Sequence, residues 1–235
     1  MNILIPAAGA GRRFREAGYK EPKPLIYMRA SYMLQEVVRN VQPFFGDFKI
    51  ILLASRYVRD RTRNLWDDGF VIDGVTDGAA RTALVAKSII NNDNPLLIVN
   101  SDQLIDWRGS IDSFISAAEK GDGGVVLFES DGNPKWSYAD FDPELGRITE
   151  IAEKRVISNY ATAGVYYWKR GRDFVRSAEQ MIAKNIRTNN EFYIAPSYNE
   201  LIAEGADIMP YVIPASAMHG LGTPEDLEAY LASRS

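Results

Sequence analysis

A chain of 235 residues suits one large domain, and an apolar fraction of 46% supplies it with a core. The 31 acidic against 27 basic residues leave a formal net charge of -4, which argues against a nucleic-acid partner, and the absence of cysteine excludes disulfides, thiolate metal sites and cysteine nucleophiles. The opening MNILIPAAGAG lacks the basic region of a signal peptide, and no apolar run approaches the roughly 20 residues that span a bilayer, so a cytoplasmic protein with no membrane partner is expected.

Apolar runs alternate with helical spacing along the first half. NILIPA (2–7) predicts a buried strand, and 31–44 a helix with Ser31 as its N-cap. A second strand is expected at 49–55, followed by a charged helix over RYVRDRTRNLWDD. A third strand is expected at 70–75, a helix at 82–92, and a fourth strand at 95–102. The run SIDSFISAAEKG predicts a helix stopped by Gly121, and GGVVLFES a further strand. Strands alternating with helices imply βαβ units and a mostly parallel sheet. Beyond about residue 130, KWSYADFD, GRITEIAEK and TAGVYYWKR read as strands. Helices resume at 171–186 and in NEFYIAPSYNELIAEG, which Pro196 interrupts. IMPYVIP reads as a late strand, and TPEDLEAYLAS as a last helix with Thr223 as N-cap and Pro224 at its first position.

PAAGAGRRF (6–14) follows the first strand directly. Gly9 and Gly11 permit positive φ, and their N–H groups would form an anion-binding nest; a simple tight turn would use the same glycines. A dinucleotide fingerprint requires GxGxxG, but Phe14 stands where the third glycine should be, and no GK[ST] follows to make a Walker loop. In YKEPKPL (19–25) two prolines are expected to keep the backbone around Lys23 extended. An ammonium beside a glycine turn and a guanidinium suits a polyphosphate.

Asp102 closes the fourth strand at its carboxyl end, where open α/β sheets bind ligands. Beside Asn100 and Ser101 it suits Mg2+; it would also serve as a turn cap. In TDGAARTA the residues Thr76, Asp77 and Gly78 make a turn near Thr82, while Gly78, Ala79 and Ala80 are small enough to let a flat base lie against the backbone. Lys154 follows Glu153 in ITEIAEK, either as a surface ion-pair residue or as a site cation. Trp136, Tyr138, Tyr166, Tyr167 and Trp168 read as core or as cavity lining, and Glu191 as a helix-terminal charge or a hydroxyl-binding carboxylate.

GAGRRF with PKPL, TDGAARTALVAK (76–87), NSDQ (100–103), EK (153–154), TAGVYYW (162–168) and GTPEDL (222–227) together resemble the sugar-phosphate nucleotidyltransferase family across nearly the whole chain. The resemblance is strongest to its capsule and surface-polysaccharide branch. It implies a GT-A-like, Rossmann-like α/β fold: a three-layer sandwich on a mostly parallel, mixed central sheet. The chain would be one domain over 1–235, with a nucleotide-binding half at 1–130 and an acceptor-binding half at 131–235. The implied reaction transfers NMP from an NTP, leaning toward a pyrimidine, to a phosphorylated sugar or similar small phosphate, with Mg2+ as cofactor and pyrophosphate released. Homo-oligomerisation is left open.

By that resemblance Arg13, Lys23, Asp102 and Lys154 are catalytic, and Asp102 also binds the metal. Ala7, Ala8, Gly9, Gly11, Arg12, Asp77, Gly78, Ala79, Thr82 and Ser101 bind the nucleotide. Gly164, Glu153 and Glu191 bind the acceptor. The chain departs from the family at Gly220, where many members carry a second metal-binding aspartate. His219, the only histidine, stands beside that gap. Two rivals share the fold: a glycosyltransferase using a nucleotide sugar, which commonly carries paired carboxylates where NSDQ has one, and a non-catalytic nucleotide-sensing module.

Overall fold

In a computed structural model that describes residues 1–234, the chain opens with β1 (Asn2–Pro6), α1 (Arg12–Glu16), α2 (Met33–Asn40), β2 (Lys49–Ala54), α3 (Arg56–Arg61) and β3 (Asp68–Val71). It continues through α4 (Ala79–Leu84), α5 (Lys87–Ile90), β4 (Leu96–Val99), β5 (Gln103–Ile105), α6 (Asp112–Ala118) and β6 (Gly123–Glu129). The second half contributes β7 (Ser137–Asp142), β8 (Arg147–Glu153), β9 (Tyr160–Trp168), α7 (Gly171–Ala183), α8 (Tyr198–Ala203), β10 (Ile208–Ile213), β11 (Met218–Gly220) and α9 (Pro224–Ser233).

The main sheet has the order β10-β6-β9-β4-β1-β2-β3, with β7 joined to β9 and β8 to β7. The pairs β1/β2, β1/β4, β2/β3 and β10/β6 are parallel; β9 runs antiparallel to both β4 and β6. The sheet is thus mixed and mostly parallel along its main path, and its order mixes strands from both halves of the chain. Side chains alternate across a strand, so each apolar run feeds two cores. Ile3, Ile5, Leu52, Leu97 and Val99 enter one core, which includes residues of α2 and α6. Leu4, Ile51, Leu53, Leu96 and Ile98 enter the other, which includes residues of α4, α7 and α8. The result is the three-layer α/β sandwich expected.

Local differences have local causes. Ser31 does not cap α2. Tyr32 is the N-cap residue, its N–H donating to Gln35 Oε1 at 2.8 Å, while Ser31 Oγ donates to Glu36. Lys23–Leu25 is a 3-10 turn, not an extended segment: Pro22 before it (φ -55, ψ 145) and Ile26 after it (φ -66, ψ 128) are extended, and the Leu25 N–H closes onto the Pro22 carbonyl at 2.8 Å. The third strand lies at Asp68–Val71, earlier than expected, and the helix expected at 82–92 begins at Ala79 and divides in two. Pro196 interrupts no helix; it sits in the 3-10 turn Ala195–Ser197 that leads into α8. Thr223 does cap α9, accepting from the Asp226 N–H. No helix among the described residues is long and apolar enough to cross a membrane.

Candidate active site

The sheet brings the two signature loops together. β1 and β4 are parallel neighbours with Leu4 opposite Ile98, so the segments leaving Pro6 and Val99 open at one sheet edge. Gly11, at φ 57, turns the first segment into α1 and presents Arg12 and Arg13. A side chain on Gly11 would stand 3.6 Å from Lys23 Cβ, so the 3-10 turn is folded back against it. β11 pairs with β5 in a separate small sheet, and the Leu221 N–H donates to the Asp102 carbonyl at 2.8 Å. That contact lays the GTPEDL segment beside Asp102.

These elements enclose an open cavity of about 460 Å³. Gly11, Arg12, Arg13 and Lys23 line one side; Asn100, Asp102 and Gln103 line the strand edge. Glu153, Lys154, Glu191 and Tyr193 face them, and Lys135, Trp136, Gly220, Gly222 and Asp226 close another wall.

Charge in the cavity is partly paired. Lys23 Nζ donates to Asp102 Oδ2 at 2.6 Å, with only 18% and 25% of the two side chains exposed. Lys135 Nζ donates to Asp226 Oδ1 at 3.0 Å and lies 4.6 Å from the Trp136 ring centroid. Lys154, at φ 54, donates from Nζ to the Tyr193 hydroxyl at 2.5 Å. Among the described residues no carboxylate pairs with Arg12 or Arg13, which leaves two guanidinium groups for an anionic ligand. Burial pushes the Glu153 carboxyl up, against the lowering effects of the Ser137 hydroxyl bonded to it and of the Lys154 charge. Burial also pushes the Tyr193 phenol up, helped by the Glu191 carboxylate.

Of the expected site residues, Gly11, Arg12, Arg13, Lys23, Ala79, Asp102, Glu153, Lys154 and Glu191 reach this cavity. The others hold its walls. The Ala7 N–H donates to the Leu53 carbonyl at 2.7 Å, continuing the β1/β2 pairing, and Ala8 and Gly9 follow outside the lining. Of the two glycines that permit a positive φ, Gly11 takes one and Gly9 does not. Asp77 pairs with Arg81 at 2.9 Å, and its carbonyl accepts from the Phe192 N–H at 2.8 Å. Gly78, at φ 124, lies so close to Phe192 that a Cβ would stand 2.3 Å from its carbonyl oxygen. Thr82 Oγ1 hydrogen-bonds with Thr76 Oγ1 at 2.5 Å. This segment is thereby stitched to the chain at 192 instead of opening toward the cavity, except at Ala79. Ser101 is buried.

Gly164 is a site of close approach: at φ 71, a Cβ there would fall 1.4 Å from Gln103 Oε1. Gln103 in turn accepts from Asn100 Nδ2 at 2.9 Å, and the Asn100 N–H donates to the Gly164 carbonyl at 2.8 Å. Gly164 therefore makes room for the network that holds the Asp102 turn. His219 lies outside the cavity lining, its Nε2 at 2.9 Å from Asp106 Oδ2. Among the aromatics, Trp136 and Tyr166 line the cavity. Tyr138, Tyr167 and Trp168 are core residues, Trp168 stacking on Tyr198 with centroids 4.3 Å apart.

Gly220 faces Trp136: a Cβ there would meet the indole at 2.9 Å. Among the described residues no group of three or more His, Cys, Asp or Glu side chains gathers to hold a metal. Asp102, a hard oxygen donor at the strand edge, fits a cation taking its other ligands from phosphate and water, the habit of Mg2+. Lys135, Tyr193, Asn100, Gln103 and Asp226 reach the cavity without having been singled out as site residues. Asn100 and Gln103 lie with Asp102 in NSDQ and Asp226 lies in GTPEDL, so these three carried a local signal, while Lys135 and Tyr193 did not.

A protein-family model described as "Nucleotidyl transferase" matches residues 2–203. The chain is 26% identical over 169 residues to the bifunctional protein GlmU of Methanocaldococcus jannaschii, covering 71% of this chain and 39% of that one. It is 23% identical over 176 residues to the catalytic subunit beta of mannose-1-phosphate guanylyltransferase from Dictyostelium discoideum, covering 71% of this chain and 49% of that one. The chain thus spans less than half the length of either relative. Among solved structures, it is similar to a nucleoside-diphosphate-sugar pyrophosphorylase from Vibrio cholerae RC9 (TM-score 0.81, 23% identity, 98% of this chain and 99% of that one). It is also similar to UDP-glucose pyrophosphorylase complexed with UDP-glucose (TM-score 0.80, 16% identity, 99% and 97%). At these identities the structural likeness establishes the fold.

Proposed function

The chain belongs to the nucleotidyl transferase family, and on that premise we propose that its cleft transfers a nucleotidyl group from an NTP to the phosphate of a small acceptor, releasing pyrophosphate. The observation that carries this reading is the placing of two cationic poles in one cavity. Arg12, Arg13 and Lys23 form one beside Asp102, and Lys154 forms the other among Glu153, Glu191 and Tyr193. A triphosphate requires the first pole and a phosphorylated acceptor the second. The relatives' names include mannose 1-phosphate and UDP-glucose, which makes a sugar 1-phosphate the first acceptor to try.

In this reading an acceptor phosphate oxygen attacks the α-phosphorus in line. A new P–O bond forms, the bond to the bridging oxygen breaks, and pyrophosphate leaves with its electron pair. A phosphate monoester has its second pKa at about 6, so the nucleophile is already anionic at neutral pH and no general base is required. The enzyme's task is to align anions and neutralise charge growing on the leaving group. Arg12 and Arg13 hold the β- and γ-phosphates, Lys23 faces the α-phosphate, and Lys154 holds the acceptor phosphate. Asp102 would hold Mg2+, which supplies charge neutralisation on the donor phosphates when bound. Ala79 lies against the nucleoside, and Glu153 and Glu191 accept from acceptor hydroxyls. A pyrimidine base and a place in surface-polysaccharide synthesis in the cytoplasm complete the proposal.

The test is a matrix of the four NTPs against phosphorylated sugars, polyols and amino-acid derivatives, scored by pyrophosphate. At least one pair is expected to turn over with Mg2+ present, and to lose turnover in Asp102→Asn. If no pair releases pyrophosphate above the Asp102→Asn background, the reading is wrong. Release of nucleoside diphosphate from a nucleotide sugar would replace it with glycosyl transfer.

A further inference from the structure

Tyr193 borders the main cavity on one side and a second hollow of about 180 Å³ on the other, and Glu153 and Glu191 border both as well. Its chain neighbours Phe192 and Ile194 are buried in the core, so the backbone here is anchored. The phenol ring stands as a partition between the two hollows. The hydroxyl accepts from the Lys154 ammonium at 2.5 Å, with Nζ 4.6 Å from the ring centroid, and the Glu191 carboxylate is its second partner.

Lys154 needs such a partner. It follows the last residue of β8, at φ 54, with its N–H donating to the Trp136 carbonyl at 3.1 Å. The backbone is thus fixed, but a flexible four-carbon stem separates it from the charge. Among the described residues no carboxylate pairs with this ammonium. An ammonium has three N–H donors, and the phenol oxygen takes one of them. The two that remain are directed by where the phenol stands. The phenol keeps its own proton at neutral pH, because burial first and then the Glu191 carboxylate favour the protonated form.

We propose that Tyr193 is a positioning residue for the acceptor: its hydroxyl holds the Lys154 ammonium on the cavity side of the partition, with two donors aimed at the acceptor phosphate. This rests on the reading of Lys154 as the acceptor-phosphate cation. It predicts that the hydroxyl, not the ring, matters, and that it matters only while Lys154 is present.

The experiment is a double-variant cycle in the full chain, with glucose 1-phosphate as the probe. Glucose 1-phosphate is titrated by calorimetry into the wild type, Tyr193→Phe, Lys154→Met and the double variant, each saturated with a non-hydrolysable UTP analogue. Tyr193→Phe keeps the ring and is expected to melt within about 2 °C of the wild type. Its glucose 1-phosphate Kd is expected to rise about tenfold, the scale of one charge-assisted hydrogen bond, with the nucleotide Kd within about twofold of wild type. In the Lys154→Met background the same change is expected to add nothing. An unchanged Kd in Tyr193→Phe, an equal loss of nucleotide affinity, or an effect that persists without Lys154 would overturn the proposal while leaving the acceptor role of Lys154 standing. A Lys154→Met variant that binds like the wild type, or a wild type that does not bind the probe, would overturn that acceptor role and this proposal together.

Discussion

The Lys23 ammonium and the Asp102 carboxylate meet at 2.6 Å across 79 residues of sequence, each the other's counter-charge inside the cleft. Because both side chains are largely shielded, removing one strands the other. Lys23→Met and Asp102→Asn are each expected to cost about 1–2 kcal/mol, and the double variant less than their sum, in urea unfolding. Each single change is also expected to lower pyrophosphate release by roughly 10²–10³ while far-UV circular dichroism is unchanged. Additive stability losses would mean that the pair is not coupled.

Gly220 has no room for a side chain under the Trp136 indole, which a Cβ would meet at 2.9 Å. Gly220→Asp is expected to destabilise by about 1–3 kcal/mol through overpacking. Adding Trp136→Ala relieves the clash, so it is expected to recover part of that loss relative to Trp136→Ala alone. Thermal melts of the four proteins check this; equal losses with and without Trp136 would remove the indole from the account.

Gly164→Ala is expected to be the more damaging change. It combines a positive φ with a Cβ 1.4 Å from Gln103 Oε1. Left-handed strain and overpacking of about 1–3 kcal/mol each would lower the melting temperature by roughly 4–24 °C at ~2–4 °C per kcal/mol. Shortening the partner, Gln103→Ala, is expected to restore part of the loss, because it removes the clash with Gln103 but neither the 2.7 Å approach to Asn100 Nδ2 nor the strain.

Glu153 gives a pH signature. Burial raises its pKa above the ordinary carboxylate value of 4.5, so the folded protein holds this proton to higher pH than the unfolded chain does. Folding stability from this group is therefore highest below the unfolded value and is lost as pH rises through the folded value. Glu153→Gln is expected to melt higher than the wild type at pH 7, with the gap narrowing as pH falls toward 4.5. A gap that widens on acidification would reverse the assigned sign.

Much of the fold can be read from the chain because its main strands are apolar on both faces. NILIP and LLIV are buried runs with no polar interruption, the pattern of strands covered by helices on both sides. The meeting of Gly11, Lys23 and Asp102 is also readable, since a parallel sheet opens its loops at the carboxyl ends of its strands. The small β5/β11 sheet is not, because three-residue pairings more than a hundred residues apart leave no periodicity. Lys135 and Tyr193 enter the site through loop paths that only the packing fixes. At the turn of Asp77 and Gly78 the small residues serve packing as well, since the space a Cβ on Gly78 would take is filled by the backbone at Phe192. Trp136 and Tyr138 read alike in the sequence, but Trp136 precedes β7 and stays at the cavity rim while Tyr138 lies within the strand and is buried.

The position of β9 between β4 and β6 bears on how the chain is made. The strands β4, β1, β2 and β3 on one side of that slot and β6 on the other are synthesised first, and β4 and β6 each expose an unsatisfied edge until residues 160–168 leave the ribosome. The amino-terminal segment through β6 thus lacks the strand that joins its two parts in the main sheet. Expressed alone it would present two sticky borders to other copies of itself, and co-expression with a fragment carrying the missing strand would be the way to keep it in solution.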